Sequence, residues 1–161
     1  MCVQFLKPAY KDTLIKRNQT VSDITGGVIK AIADSKKQAE LIAPYLVGKT
    51  KQQTLRNIFN FCKKNVKYVR EPNSLQTAKT LPRILADKHG DCKHYAICVA
   101  SLCKALNLPV KLRLISQNYF SPEPTHIYAV SGIGSVEVVI DPVLKQFANE
   151  AIYRYKYDVK I

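Results

Sequence analysis

The sequence predicts a single α+β domain in which helices precede an antiparallel sheet. Its 161 residues suit one domain of ordinary size, and its 47% hydrophobic residues are typical of a folded globular protein. Apolar residues recur with the helical period before residue 107 and with a period of two from Val110 onward. No apolar run approaches the roughly 18 residues of a membrane-spanning helix.

Two helices are predicted in the N-terminal half, after a basic and irregular segment at residues 1–20. The first begins at Ser22 or Thr25 and runs to about Leu46. Thr50 is the predicted N-cap of the second helix. Its apolar stripe follows helical spacing and consists of Leu55, Ile58, Phe59, Cys62 and Val66.

The middle of the chain leads to a central helix. A short strand at 66–69, a loop at 71–74 and a short helix starting near Thr80 come first. The segment 92–106 is then apolar on nearly every side, which predicts a helix packed on more than one face. Asn107 is expected to end it.

The C-terminal third predicts the sheet. Residues 110–114 alternate apolar with charged side chains, as in a half-exposed strand. Segments 126–131 and 136–141 are two further strands, joined by a turn at 132–135. The tail at 151–157 could add another strand, with tyrosines on one face.

The hairpin allows a geometric prediction about two titratable residues. If the turn is symmetric about residues 133–134, His126 lies directly opposite Asp141. Opposed residues carry their side chains on one face of a sheet, so the two should be neighbours. The same face is expected to hold Tyr128, Val130, Glu137 and Val139.

Cys92 occupies a position that suits a reactive thiol. It follows Asp91 at the start of the central helix. The helix dipole and the free N–H groups of the first turn favour a thiolate there and can hold an oxyanion. A histidine beside the sulfur would complete an ion pair, and an aspartate behind it would orient the ring.

Three segments resemble the transglutaminase-like family. Gly90-Asp91-Cys92 and the phrase running from Leu102 to Val110 are similar to the family's nucleophile segment, in which a GDC motif opens the central helix. Residues 125–130 are similar to its histidine strand, and residues 139–142 to its aspartate strand, which typically reads V-D-P. The order of the motifs fits, and the resemblance covers about residues 55–150.

The resemblance implies a papain-like transglutaminase core, with a cysteine-bearing helix packed on an antiparallel sheet. Carried over by position, Cys92 would be the nucleophile, His126 the general base and acid, and Asp141 the orienting carboxylate. The family's histidine is usually followed by a small residue and a tryptophan, whereas this chain has Ile127-Tyr128 and no tryptophan. Gln76 and the Cys92 backbone are therefore the candidate oxyanion donors.

The implied activity is thiol-dependent hydrolysis of peptide or amide bonds through an acyl-enzyme, as in a small cysteine peptidase or amidase. The short basic form is similar to bacterial or phage members of the family. The alternatives are transglutaminase-type acyl transfer, transfer from a small-molecule thioester, or a non-catalytic binding module of a larger assembly. No calcium loop or cofactor-binding loop is visible, so neither a metal nor a cofactor is expected.

Other polar residues in these segments have structural alternatives. Cys62, Cys98 and Cys103 are expected in the core. His94 and Cys98 share a helix face, so a metal site with His89 or Cys92 is a weaker alternative. Asp91 is expected either to cap the helix or to line the cleft.

Charge is concentrated in the N-terminal half. The chain carries a net charge of +13, of which residues 1–70 contribute +10 and residues 71–161 contribute +3. We therefore divide the chain into a basic helical extension at 1–50 and a core at 51–161. The basic half is either a plain solvated surface or a docking surface, remote from the chemistry, for a polyanion or an acidic protein. The lysines proposed for docking are Lys36, Lys37, Lys49, Lys51, Lys63, Lys64 and Lys67.

Location is predicted from the cysteines and the N-terminus. Five cysteines without a disulfide-scaffold spacing, and a start that lacks the pattern of a signal peptide, favour free thiols in a reducing compartment. The expectation is a cytoplasmic protein, or a virion-associated one if phage-encoded, that does not follow the classical secretion route.

Overall fold

The structure is a computed structural model that describes residues 5–9, 13–17 and 20–161. Its helices are Val21–Asp34 (α1), Lys36–Ile42 (α2), Lys51–Asn65 (α3), Leu81–Asp87 (α4) and Cys92–Ala105 (α5), with a 3₁₀ helix at Ala43–Leu46. Its strands are Thr13–Arg17 (β1), Lys67–Tyr68 (β2), Leu75–Lys79 (β3), His89–Gly90 (β4), Val110–Ser116 (β5), His126–Ile133 (β6), Val136–Ile140 (β7) and Tyr155–Lys160 (β8). In the described part of the chain, no helix is long and apolar enough to cross a membrane.

A four-stranded antiparallel sheet carries α5 on one face, which confirms the α+β prediction. The strand order is β7-β6-β5-β8. Leu112, Leu114 and Ile127 face the helix and share its apolar core. The other face holds a smaller buried cluster of Ile115, Tyr128, Val130 and Val139, covered by the segment before β8.

The central helix α5 lies where its composition predicts. Every residue from Lys93 to Cys103 is buried, because α1, α2, α3, α4 and the sheet all pack around it. Asn107 follows the helix with a φ of 53°, a left-handed conformation that asparagine tolerates and that ends a helix.

The predicted first helix, from Ser22 or Thr25 to Leu46, is wrong in its extent. Thr20 caps α1 through a hydrogen bond from the Asp23 backbone, and α1 ends at Asp34. The buried hydroxyl of Ser35 bonds back to the Ala31 carbonyl and accepts the Leu81 amide at 2.8 Å. These bonds tie the break between α1 and α2 to the start of α4.

Part of the segment predicted to be irregular is a strand. β1 pairs antiparallel with β3, a strand that the sequence did not predict either. The predicted strand at 66–69 is reduced to β2, which pairs parallel with β4. Residues 1–4, 10–12 and 18–19 lie outside the described residues.

The predicted register of the β6–β7 hairpin is wrong by two residues. Ile133 pairs with Val136, so the turn consists of residues 134–135. Gly134 has a φ of +61°, which suits a tight hairpin and which Ile133 could adopt only with strain. A shift of two keeps every side chain on its predicted face. Tyr128, Val130 and Val139 do share one cluster, as expected.

The tail forms its strand later than predicted, as β8 beside β5. In the N-terminal half, Val28, Ile32 and Ile42 belong to the same apolar core as α5. The division of the chain at residue 50 stays a prediction.

Candidate active site

Cys92 is the first residue of α5, and its side chain is partly exposed, whereas Cys62, Cys98 and Cys103 are fully buried. Burial raises the pKa of the Cys103 thiol to about 12 and that of Cys62 well above its usual range. Cys2 lies outside the described residues. Cys92 is thus the most accessible thiol of the described part of the chain.

His126 and Asp141 meet at the open end of the hairpin. His126 begins β6, and Asp141 follows the last residue of β7. The His126 Nε2 lies 2.7 Å from Asp141 Oδ2, and Asp141 Oδ1 accepts the Val143 amide at 3.1 Å. Cys92 and His126 line the same cavity, and Cys92 is among the groups that raise the pKa of His126. The structure therefore brings the three residues singled out from the sequence together at one cavity, with a hydrogen bond between His126 and Asp141.

The surroundings favour a charged imidazolium at His126. Burial opposes protonation, but the hydrogen bond and charge of Asp141, together with the neighbouring Cys92, outweigh it and raise the pKa of His126 to about 10. Close by, burial and the charges of Cys92 and Asp91 raise the pKa of Tyr68, whose ring stacks on Tyr95. A histidine of this kind carries positive charge beside the sulfur at neutral pH.

A buried ion cluster, here called the Lys93 network, lies behind Cys92. It consists of Lys93, Glu71, Asp91, His94 and Thr77. The Lys93 ammonium bonds to Asp91 and, at 2.8 Å, to Glu71. Glu71 in turn accepts the Thr77 amide at 2.8 Å, and the His94 ring lies 2.8 Å from Asp91 Oδ1 and 3.3 Å from the Thr77 hydroxyl. The network joins the start of α5 to the segment from Glu71 to Thr77.

The network explains two local features. Burial would raise the pKa of Asp91 and of Glu71, but their bonds to Lys93 and to His94 or Thr77 lower both below the usual range. A Cβ on Gly90 would lie 2.5 Å from the His94 Cβ, so glycine is required for the ring to pack there. Asp91 is both the N-cap residue of α5 and part of the cavity wall, so both alternatives for it hold.

The geometry does not favour a metal at the residues considered. Glu71, Asp91 and His94 place ligand atoms within 4.8 Å of one another, but the Lys93 ammonium already bonds both carboxylates. The metal site considered from the sequence, at His94 and Cys98, does not form. The Cys98 sulfur contacts the Cys62 sulfur, whereas the His94 ring faces Asp91 and Thr77. His89 is exposed and bonds to the Asp87 carbonyl.

A cavity of about 400 Å³ opens beside the thiol. Cys92, His126 and Gln76 all line it, and the Gln76 amide donates one hydrogen bond to the Pro72 carbonyl. Sequence reasoning missed its other walls, which are contributed by loops and by α1. These residues include Val21, Ile24, Thr25, Arg70, Asn73, Asn118, Ser121, Glu123 and Thr125. In the sequence, the α1 residues show only the pattern of an amphipathic helix.

Comparison with protein families decides the relationship. Residues 41–141 match the model of the transglutaminase-like superfamily. The chain belongs to this superfamily. The match includes Cys92, His126 and Asp141, and the papain-like core that the motifs implied is the fold observed. A search of curated proteins finds no significant match.

Solved structures show the same fold at low identity. A proposed protease from Parabacteroides distasonis superposes with a TM-score of 0.58 and 11% identity, over 74% of this chain and 26% of its own. A proposed cysteine protease from Cytophaga hutchinsonii gives a TM-score of 0.50 and 16% identity, over 81% of this chain and 48% of its own. The chain thus spans less than half of either protein. It has the fold of thiol-dependent hydrolases and acyltransferases of this superfamily.

Proposed function

We propose that the protein is a thiol-dependent hydrolase of peptide or amide bonds. The observation that carries the proposal is the placement of Cys92 and His126 on the wall of one open cavity, with Asp141 hydrogen-bonded to the His126 ring. Cys92 would be the nucleophile, His126 the proton carrier, and Asp141 the carboxylate that holds the ring.

The proposed reaction begins with the Cys92 thiolate and the His126 imidazolium. The sulfur attacks the substrate carbonyl carbon, and negative charge moves to the carbonyl oxygen. The first-turn N–H groups of α5 and the Gln76 amide are the proposed donors to that oxygen. When the C–N bond breaks, His126 gives its proton to the leaving amine, and an acyl-enzyme remains.

The second half of the reaction reverses the proton transfer. Water attacks the thioester carbonyl while His126 takes one of its protons. The C–S bond then breaks, which releases the carboxylic acid and restores the ion pair. An amine that replaces water would give acyl transfer, so the acceptor distinguishes a hydrolase from a transglutaminase.

Alkylation of the thiol tests the proposed nucleophile. Iodoacetamide at neutral pH should modify Cys92 first, as located by peptide mapping. His126→Ala should slow this alkylation by about tenfold or more, because the thiolate loses its counter-ion. Cys103→Ala is the matched control and should leave the rate unchanged. Preferential alkylation of Cys62 or Cys98 would contradict the assignment.

The pH dependence of alkylation tests Asp141. Because the pKa of His126 is raised to about 10, the ion pair should persist to that pH in the wild-type protein. Asp141→Asn removes a charge that stabilises the imidazolium, so the alkaline limit should move to lower pH. Turnover should fall by several orders of magnitude, by analogy with serine triads. An unchanged dependence of the alkylation rate on pH in this variant would show that Asp141 does not stabilise the His126 imidazolium.

Turnover decides between the enzymatic alternatives. Denatured casein incubated with the protein should yield new peptide ends or deamidated glutamines, detected by mass spectrometry, and Cys92→Ala should yield neither. Incorporation of dansylcadaverine in preference to water would favour acyl transfer over hydrolysis. A reactive Cys92 without either product would overturn the proposal in favour of a binding module.

A further inference from the structure

A second cavity adjoins the first one and is not lined by Cys92. It measures about 730 Å³ and lies between α1, the loop before β6 and the edge strand β8. We call it the α1 groove; its lining residues are Val21, Ser22, Thr25, Gly26, Ile29, Leu114, Ser121, Pro122, Glu123, Pro124, Tyr157 and Val159. Half of these, among them Val21, Thr25 and Pro124, also line the cavity at Cys92. The groove and the cavity at the thiol are therefore adjacent.

The α1 groove is mainly apolar and open to solvent. Ile29 is 37% exposed and Tyr157 is 46% exposed, although both lie on regular elements. Pro122, Pro124 and Val159 complete the apolar wall. Transfer of these apolar surfaces from water into contact with an apolar group is favourable.

Two adjacent glycines in α1 have different surroundings. A Cβ on Gly27 would lie 3.3 Å from the Ala78 Cβ, so this glycine allows α1 to approach β3. A Cβ on Gly26 would meet nothing within 4 Å, although glycine inside a helix is unfavourable. Packing therefore does not account for Gly26, an exposed residue that lines the groove.

The groups beside Cys92 indicate which kind of chain carries the apolar group. Asn73, Gln76 and Thr125, whose side chains carry amide and hydroxyl groups, line the thiol cavity together with the charged residues Arg70, Asp91, Lys93 and Glu123. Such groups can hydrogen-bond to the N–H and C=O groups of a peptide backbone, whereas an alkyl chain has no donor or acceptor to pair with them. The cavity at the thiol thus carries polar side chains suited to a peptide backbone, and the adjacent groove is more strongly apolar.

We propose that the α1 groove binds an apolar side chain of a peptide substrate next to the bond that Cys92 attacks. This inference rests on the proposed function. It assigns the choice of substrate to α1, which lies outside the residues 41–141 that match the family model. The N-terminal half, expected from sequence to be remote from the chemistry, would then select the substrate.

Two series of thiol reagents test the proposal without requiring turnover. The first consists of N-acetyl-X-glycine chloromethyl ketones and the second of iodoacetyl-X-methylamides, with X as leucine, aspartate or glycine. They place residue X on opposite sides of the reactive carbon. After division by the rate with the parent reagent that lacks X, the leucine compound should react about tenfold faster than the others in one series.

Substitutions in α1 connect this preference to the groove. Gly26→Phe should remove the preference for leucine and leave the iodoacetamide rate unchanged. Ala33→Phe is the matched control, because Ala33 is exposed on α1 beyond the groove, and it should keep the preference. Ile29→Asp, at an exposed position, should weaken the preference in the same way if Gly26→Phe does not fold.

Several outcomes would overturn the inference. These are the absence of a preference in both series, a preference that survives in both groove variants, and faster reaction of N-octyl-iodoacetamide than of the leucine compounds, which would indicate an acyl chain. Failure of the proposed function would be seen in the rate of alkylation by iodoacetamide itself. Cys92 would then react with iodoacetamide no faster than a simple thiol, whatever the order of rates within each series.

Discussion

Lys93 and Arg113 are two buried cations, each 3% exposed and each held by carboxylates, yet they lie in different parts of the molecule. Lys93 bonds Asp91 and Glu71, which are 7% and 17% exposed, at the start of α5. Arg113 lies on the sheet face opposite α5, with partners that are 30–50% exposed. We call this second cluster the Arg113 network; its members are Arg113, Lys111, Glu137, Glu150 and Asp158.

The two networks connect different elements of the fold. Arg113 binds Glu137 of β7 at 2.6 Å, Asp158 of β8 at 2.7 Å and Glu150 at 2.8 Å, so it connects strands on either side of β5. Lys93 connects α5 to the segment that supplies Arg70, Asn73 and Gln76 to the cavity. The same chemistry therefore stabilises the sheet in one place and shapes the candidate active site in the other.

Lys93→Met should have the largest effect, because it leaves two nearly buried carboxylates without their cation. We expect the free energy of unfolding to fall by about 3–5 kcal/mol, measured by urea denaturation. Alkylation of Cys92 should slow by about tenfold, since the cavity wall loses its anchor. Lys104→Met, at an exposed position on the same helix, is the control. A loss under about 1 kcal/mol would show that Lys93 contributes no more than a surface ion pair.

Arg113→Met should destabilise the protein less and spare the thiol. Its carboxylate partners are partly hydrated, so we expect a loss of about 2–3 kcal/mol. The rate of Cys92 alkylation should stay within about twofold of the wild-type rate, because no member of the Arg113 network lines the cavity at Cys92. Slower alkylation comparable to that of Lys93→Met would remove the contrast between the two networks.

Acid should weaken the Arg113 network through Asp158. The hydrogen bond from Arg113 lowers the pKa of Asp158 strongly. A lowered folded-state pKa contributes stability above the unfolded value of about 4, and this is lost as the pH falls. Arg113→Met should therefore lose about 1 kcal/mol less stability than the wild type between about pH 5 and pH 2. Parallel curves of unfolding free energy against pH for the two proteins would contradict this.

A matched pair of glutamate substitutions should give the smallest effects. Glu71→Gln keeps the shape of a side chain that is 17% exposed but removes its charge beside Lys93, and should cost about 1–2 kcal/mol. Glu137→Gln removes a more exposed charge beside Arg113 and should cost about 1 kcal/mol or less. Thermal unfolding compares them directly. Equal losses of stability in the two variants would mean that the solvent exposure of the glutamates does not distinguish the two networks.

Much of the candidate site could be predicted because its signals are local. The apolar segment after Cys92 identifies α5, and Asp91 before it serves as the N-cap residue. The period of two identifies β5 to β7, and the hairpin brings His126 to Asp141. The predicted contact is observed although the predicted register is wrong by two residues. A shift of two leaves each side chain on the same face of the sheet.

The tertiary structure alone decided the features that depend on distant partners. The break at Ser35 rests on a hydrogen bond from Leu81, and β1 exists because it pairs with β3. The composition of the N-terminal half showed its charge, but only packing against α5 places α1 at the cavity. By itself the sequence determined the periodic elements and the order of cysteine, histidine and aspartate, since these depend on near neighbours. Cavity walls and buried ion networks depend on residues far apart in the chain, and their meeting leaves no periodic signal.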